Sequence, residues 1–433
     1  MKREVCFEDY GVCGPEKAAD DALEQMLADP EIRVIHGYTD LNFTRRHSLH
    51  RGHIVLDFHG CRVTARGIER AEHNDPFGAV MHFAGAPTGE RQELILGEPL
   101  EEQYDIFPVP DAGRFPLYSW WQVTVNALEG REEREIDKLL MVTERVDHTH
   151  VRFNYKMGWP LETGRKLVYR KIRPVEDVEI RNMVFQGNPG GEEQGASPLA
   201  LEYAVNCNVY GIRARDTYWP VILRRHNTEF RTENCRLVNP TEVVVGGTGY
   251  LTQQIHCLYG AVRDCTVSNA RHLNDFTGCA YCMVENCHGD GDFHGAFVTH
   301  GQFEHDLVYV GNSGLLSFAN SGPTWGSSAK RISVLRHTGC WGLGFAGVSD
   351  LTIQDGAFYR TEKYDECGTM LLNADGLQIR GCSARKLVLT QRSRRSKRPC
   401  VVEDCFFQEG VEVAGEGDAS VENRVIFRNV TEG

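Results

Sequence analysis

One short phrase recurs through the second half of this chain: "VNCNV" at Cys207, "ENCRL" at Cys235, "RDCTV" at Cys265, "ENCHG" at Cys287, "RGCSA" at Cys382 and "EDCFF" at Cys405. Degenerate copies at Gly311, His337 and Gly356 fill the widest gap, and the series runs back to Asn182 and on to Asn429, in steps of 19 to 30 residues. Each copy follows an alternating run such as "VEIRN", "LTIQD" or "CVVED", the period-two pattern of a strand with every second side chain inside. A step this short has no room for two helices per repeat. It fits one coil of a parallel β-helix, an all-β solenoid in which Cys, Asn or Gly stacks about 4.8 Å above its counterpart in the next coil. A β-sandwich shares the turn spacing but gives no reason for one dipeptide to recur in phase.

A solenoid exposes its core at both ends unless capped. "GPEKAADDALEQMLADPE" predicts a short amphipathic helix starting at Pro15, with Ala19, Leu23, Met26 and Leu27 on its apolar face. The reading divides the chain into a cap and first coils (1–66), a β-rich insertion or irregular coils (67–171) where the phase is lost, and the main β-helix (172–433). In the middle part "SWWQVTV", "KLLMVTERV" and "HVRFNYKMGW" read as antiparallel strands, with Trp120 and Trp121 in their core. The pattern is still running at "FRNVTEG", which predicts a shortened chain or a partner covering the last coil. The fifteen cysteines lack zinc-type spacing, "CAYC" being the only C-x-x-C, and read mainly as buried small apolar residues. No apolar run nears the roughly 18 residues of a membrane span, and "MKREVCFEDY" lacks the apolar core of a signal peptide, so synthesis in a cytosol without a leader is expected. A net charge of −13 argues against nucleic acid as the main partner. The basic run "RSRRSKR" (392–398) stands out against it, either as a solvated loop or as a contact for an anionic glycan or phosphate.

The stretch "ENCHGDGDFHGAFVTHGQFEHDLVYVGNSG" crowds histidines and carboxylates among small residues, and a core holds such groups only when they are paired. With 22 residues from Cys265 to Cys287, His272 is expected to stack near His294, and the next coil, two residues longer, to bulge at a turn.

These residues resemble a known group. "CFEDYGVCGPEKAADDALEQML" followed by "HIVLDFHG" is similar to the opening of pectin-lyase-like right-handed β-helix proteins. "GYLTQQIHCLYG", "NARHLNDFTGCAYC", "CHGDGD" and "THGQFEHDL" resemble tail-spike or tail-fibre proteins of bacteriophages and prophages, specifically over residues 244–331. The resemblance implies a homotrimer in a virion tail that binds, and often cleaves, a bacterial capsular polysaccharide, exopolysaccharide or lipopolysaccharide.

Hydrolysis of a glycan needs two carboxyl groups, one held protonated, whereas β-elimination needs a base and a neutraliser for a uronate. Carboxylates outnumber plausible bases here, which favours hydrolysis, with Asp275, Asp292 and Glu304 as acid, base or nucleophile and His300 and His305 tuning them. In a lyase of the same fold the base is His300 or His305; in a binding or adhesion protein the block only reads hydroxyls. Arg271, His272, Asp290, His294 and Asp306 are substrate-binding candidates, joined by Trp325 and Trp341, whose faces suit sugar rings. "GDGDFHG" reads equally as a solvated turn, and the histidines as donors between coils. A metal at His300, Glu304 and His305 lacks the H-E-x-x-H helix, and a calcium site at Asp290 and Asp292 lacks the repeated glycine-aspartate pattern, so no metal or cofactor is expected.

Overall fold

The computed structural model describes residues 3–68, 79–129, 133–188, 197–290, 295–318, 329–344, 347–361, 367–391, 394–413 and 421–433. The chain winds as a right-handed parallel β-helix whose coils contribute to three stacks of strands, among the described residues 18 in sheet 1, seven in sheet 2 and 12 in sheet 3. Sheet 1 runs from Arg3–Cys6 to Val425–Glu432, sheet 2 from Leu41–Asn42 to His288–Gly289 and sheet 3 from His47–Leu49 to Val411–Val413. Along sheet 1 the register runs Val209, Thr232, Val262, Val284, Tyr309, Val334, Ile353, Ile379, Val402, Phe427, and the step from Val262 to Val284 is the expected 22 residues.

From Val178–Arg181 onward, one sheet 1 strand in most coils has a residue with positive φ at or near each end. One series includes Asp177, Asn206, Glu229, Tyr259, Tyr281, Asp306, Arg331 and Asp350; the other includes Asn182, Gly211, Asn234, Asp264, Asn286, Gly311, Arg336, Asp355, Gly381, Asp404 and Asn429. Asn, Asp and Gly enter this conformation at low cost, so they mark the corners. The following residue drops into the core, and there cysteine is small enough to stack. The amide of Cys235 meets Cys265 Sγ at 3.4 Å, and that of Cys382 meets Cys405 Sγ at 3.4 Å. All fifteen cysteines are free thiols and twelve are buried, as the sequence suggested. The phase of "VNCNV" differs from the sequence reading. Asn206 belongs to the first corner series, and the residue one coil before Cys235 is Ile212, whose carbonyl accepts from Arg236 N at 2.7 Å. The step of 28 from Cys207 to Cys235 therefore links two different corners.

Strands Ala86–Ile95, Ile106–Pro108, Trp120–Val125, Asp137–Arg145, His150–Phe153 and Lys166–Arg173 form a six-stranded antiparallel sheet inserted into the first complete coil. Trp121 stacks on Phe115 at 4.2 Å in its core, which also takes in Leu258 and Ala280 of the solenoid. Trp120 packs with Leu139, Ile172 and the solenoid residue Val205.

The capping helix spans Asp20–Ala28 and buries Ala22, Leu23, Met26 and Leu27. It begins five residues after Pro15. Asp20 is itself fully buried, and its carboxylate accepts from Thr44 N at 3.0 Å, Thr44 Oγ1 at 2.9 Å and Arg45 N at 3.1 Å, with His47 Nε2 at 2.9 Å. Asp20→Ala leaves these donors buried without an acceptor and is expected to destabilise the protein by about 3 kcal/mol or more. Thermal and urea unfolding check this; an unchanged midpoint would mean that the cap is not fastened through Asp20.

Candidate functional site

Three neighbouring strands of sheet 3, Tyr250–Ile255, His272–Thr277 and Phe297–Thr299, hold Gln253, Asp275 and Val298 in register. Phe276 lies in the core, so strand alternation turns Asp275 and Thr277 away from it. Asp275 Oδ2 lies 2.9 Å from His300 Nε2 and accepts from Gln253 Nε2 at 3.1 Å, while Oδ1 accepts from Thr277 Oγ1 at 3.2 Å. The Asp275 side chain is fully buried and that of His300 is 14% exposed, so the imidazole is the part of the pair that reaches solvent. Burial opposes charge on both groups, but their mutual attraction and hydrogen bond win: His300 is raised above the ordinary histidine range and Asp275 is lowered.

His300 is followed by a tight loop organised around Glu304. Its carboxylate accepts from Gly278 N at 3.0 Å, His300 N at 3.3 Å and Gln302 N at 2.8 Å, and burial pushes its pKa up in spite of these bonds. Glu304 thus fixes the backbone from which His300 projects. His272 lies deeper, with Nδ1 bonded to the Gly295 carbonyl and its ring 4.4 Å from that of Tyr250; burial drives it down to about 3. The Arg271 guanidinium donates to the carbonyls of Val243 and Val244, and Asp290 accepts from Ser268 Oγ at 2.8 Å and Asn269 N at 2.7 Å, closing the turn. Trp341 packs against the cluster of Leu315, Cys340 and Cys367. Asp292, His294 and Trp325 lie outside the described residues, so the expected stacking of His272 and His294 does too.

His305 and Asp306 are somewhere else: in the seam between insertion and solenoid. His305 is fully buried, with Nε2 at 2.7 Å from Tyr155 Oη and Nδ1 at 2.7 Å from Asp306 Oδ2. Arg331 grips Asp306 through two nitrogens at 2.9 and 2.8 Å and also reaches Glu102, which accepts from Lys330 Nζ at 2.7 Å. Burial drives His305 down to about 4; it also opposes the charge on Asp306, yet His305 and Arg331 hold that carboxyl at about 2. Gly158 passes so close that a Cβ there would sit 2.2 Å from the His305 ring. A second part of the seam was missed in the sequence. Asp137 lies 2.8 Å from His226 Nε2 and accepts from Gln122 Nε2 at 2.9 Å, while the rings of Tyr203, His226 and His256 stack at 5.0 and 5.3 Å. No local pattern announces these partners, because they come together only when the insertion docks. Among the described residues no group of three or more His, Cys, Asp or Glu side chains is arranged to hold a metal ion, and no helix is long and apolar enough to cross a membrane.

No family model and no curated protein matches this chain. Solved structures do. The tailspike gp54 of Acinetobacter baumannii bacteriophage AP22, solved in complex with A. baumannii capsular saccharide, superposes with a TM-score of 0.67 at 11% identity, over 99% of this chain and 75% of that one. The tailspike gp61 of Pseudomonas phage phi297 gives 0.62 at 14% identity, over 99% and 80%. The surface protein and adhesin PfbA of Streptococcus pneumoniae gives 0.51 at 10% identity, over 99% and 97%. At these identities the likeness is one of fold, from end to end of this chain.

Proposed function

We propose that this protein is a tail-spike-like depolymerase that binds a bacterial surface polysaccharide and cleaves it by endo-glycosidic hydrolysis near His300. The observation that carries the reading is the Asp275–His300 pair at the corner between sheets 3 and 1, on a fold shared with a tailspike solved with a capsular saccharide. An imidazole held charged by a carboxylate is suited to protonating a glycosidic oxygen as the bond to it breaks. It is poorly suited to act as the base of an elimination, which calls for neutral imidazole; this favours hydrolysis over the lyase reading. Asp275 works through His300, and Glu304 positions the loop that carries it. Asp292 is the proposed second carboxyl, taking the proton of the attacking water or forming the glycosyl bond itself. Trp341 and Trp325 are proposed sugar contacts, and Asp290, His294, Arg271 and His272 are proposed to contribute to substrate binding. His305 and Asp306 serve by fixing the insertion against the cleavage corner.

The test is to incubate the protein with a panel of capsular, exo- and lipopolysaccharides and follow reducing ends together with the ultraviolet absorbance of unsaturated uronates. Hydrolysis gives reducing ends without absorbance. Both signals rising together would transfer the reaction to a lyase. A glycan that binds without either signal would support the adhesion reading, which the PfbA likeness favours. We further propose a homotrimer in the virion tail. Sedimentation is expected to give three times the 48.8 kDa chain mass, and a single-chain mass would refute the assembly.

A further inference from the structure

On the flank of sheet 1, past the insertion, lies an open groove of about 560 Å³ lined by residues of successive coils, among them Tyr259, Tyr281, Asp306, Arg331, Thr352 and Arg398. Its floor begins with an aromatic step. Tyr259 and Tyr281 occupy the same corner in adjacent coils, their rings parallel within 13° and 5.3 Å apart. Both hydroxyls are tied to the insertion backbone, Tyr259 to the Asn154 carbonyl and Tyr281 to the Lys156 carbonyl at 3.1 Å, so the rings are held in place.

Arg398, in the basic run singled out in the sequence, also lines the groove. Asp375 accepts from Arg395 N at 3.2 Å and Ser396 N at 3.1 Å, the Ser396 hydroxyl bonds Asp350, and Arg398 N donates to Ser396 Oγ at 3.0 Å. The loop is therefore fastened to the solenoid. Arg395 stacks 5.4 Å above Trp159 of the insertion, and Arg398 donates to Thr352 Oγ1 at 3.0 Å. Both arginines are exposed, and among the described residues neither pairs with a carboxylate. Of the groove's own acids, Asp306 is paired with Arg331, and Asp350, hydrogen-bonded by Ser396, keeps its charge beside Arg398. Two exposed arginines, one held by Thr352 and one over Trp159 and neither in an ion pair among the described residues, make a local site for an anion beside a surface for a ring, in a chain of net charge −13.

We infer that this groove is a second saccharide-binding site, separate from the cleavage corner, that takes an acidic glycan, pairing its carboxylate or phosphate groups with Arg398 and Arg395 and packing a sugar ring against the tyrosine step. It shares with the preceding reading only that the ligand is a polysaccharide, and does not depend on cleavage. Calorimetric titration of the full chain at near-physiological salt tests it with four probes: alginate oligosaccharides for carboxylate, a poly(glycerol phosphate) for phosphate, neutral dextran, and a single-stranded oligonucleotide. Binding of alginate or the poly(glycerol phosphate), and of neither dextran nor the oligonucleotide, is expected; whichever of the two binds tighter identifies the anion. Arg398→Gln with Arg395→Gln is expected to weaken that binding at least tenfold. Arg213→Gln, which removes an exposed charge on sheet 2, should leave it unchanged. Equal loss in the Arg213 variant, equal affinity for the oligonucleotide, or no binding of either acidic glycan would overturn the inference. Cleavage of a glycan by a protein that binds neither acidic probe through these arginines would leave the depolymerase standing and remove the acidic site. Arginine-dependent binding with no cleavage would do the reverse.

Discussion

Acidifying the protein from pH 7 to pH 5 is expected to lower its thermal midpoint steeply, on the order of 10 °C. Burial holds His256 and His272 at about 3 and His305 and His337 at about 4. Unfolded, each takes up a proton near pH 6.5. The stability these four supply as neutral side chains is full above pH 6.5 and is lost as pH falls toward their folded values, at about 1.4 kcal/mol per group per pH unit. At pH 5 that is about 2 kcal/mol each. His300 behaves in the opposite sense. Its folded value is raised, so its contribution is complete below pH 6.5 and is lost only as pH rises through that raised value; it cannot offset the acid loss. His256 and His305 sit in the seam beside Lys138 and Arg331, so the insertion is expected to loosen first. Scanning calorimetry from pH 7 to 5 checks the slope, and a flat midpoint would mean these imidazoles are reached by solvent in the native state.

Asp275→Asn is expected to reduce polysaccharide turnover by about 10² to 10⁴-fold, the usual contribution of a positioned proton donor. The amide keeps one acceptor oxygen, enough for Gln253 or Thr277 but not for both, and removes the charge that raises His300. Burial then acts on the imidazole against the attraction of Glu304 alone, and the alkaline limb of the rate profile should move to lower pH. That displacement separates a role through His300 from simple loss of folding, which would lower activity without moving the limb. Wild-type turnover in the variant, with the same limb, would remove Asp275 from the mechanism.

Much of the fold is legible in the sequence because its determinants are local. A strand of three or four residues declares itself by alternation, and a corner by an Asn, Asp or Gly able to take positive φ. That is why "ENC" could be followed from coil to coil. It also explains the slip at "VNCNV": both corners of a sheet 1 strand make the same local demand, and only hydrogen bonds to the next coil tell Asn206 from Asn234. The site was less legible. The crowding of ionisable groups between residues 285 and 314 correctly signalled that they must be paired, but not with what. For His305 the partner is Tyr155 and for Asp306 it is Arg331, and a run of residues with no solenoid phase gives no hint that it folds back on a coil corner. Asp275 and His300, by contrast, lie one coil apart in the solenoid itself, where the period brings them together.

The placement of the insertion also sets an order of assembly. Ile54–Asp57, Arg62–Thr64 and Met81–Ala84 pair with Val178–Arg181, Val184–Gln186 and Leu199–Glu202, so nothing in the first coil can acquire its next neighbour until the whole insertion has been made. The six-stranded sheet, all of whose strands lie between Ala86 and Arg173, can close during that interval. On a ribosome the capped coil therefore waits with three bare edges, and a chain released before about residue 200 would carry them into solution as templates for its neighbours.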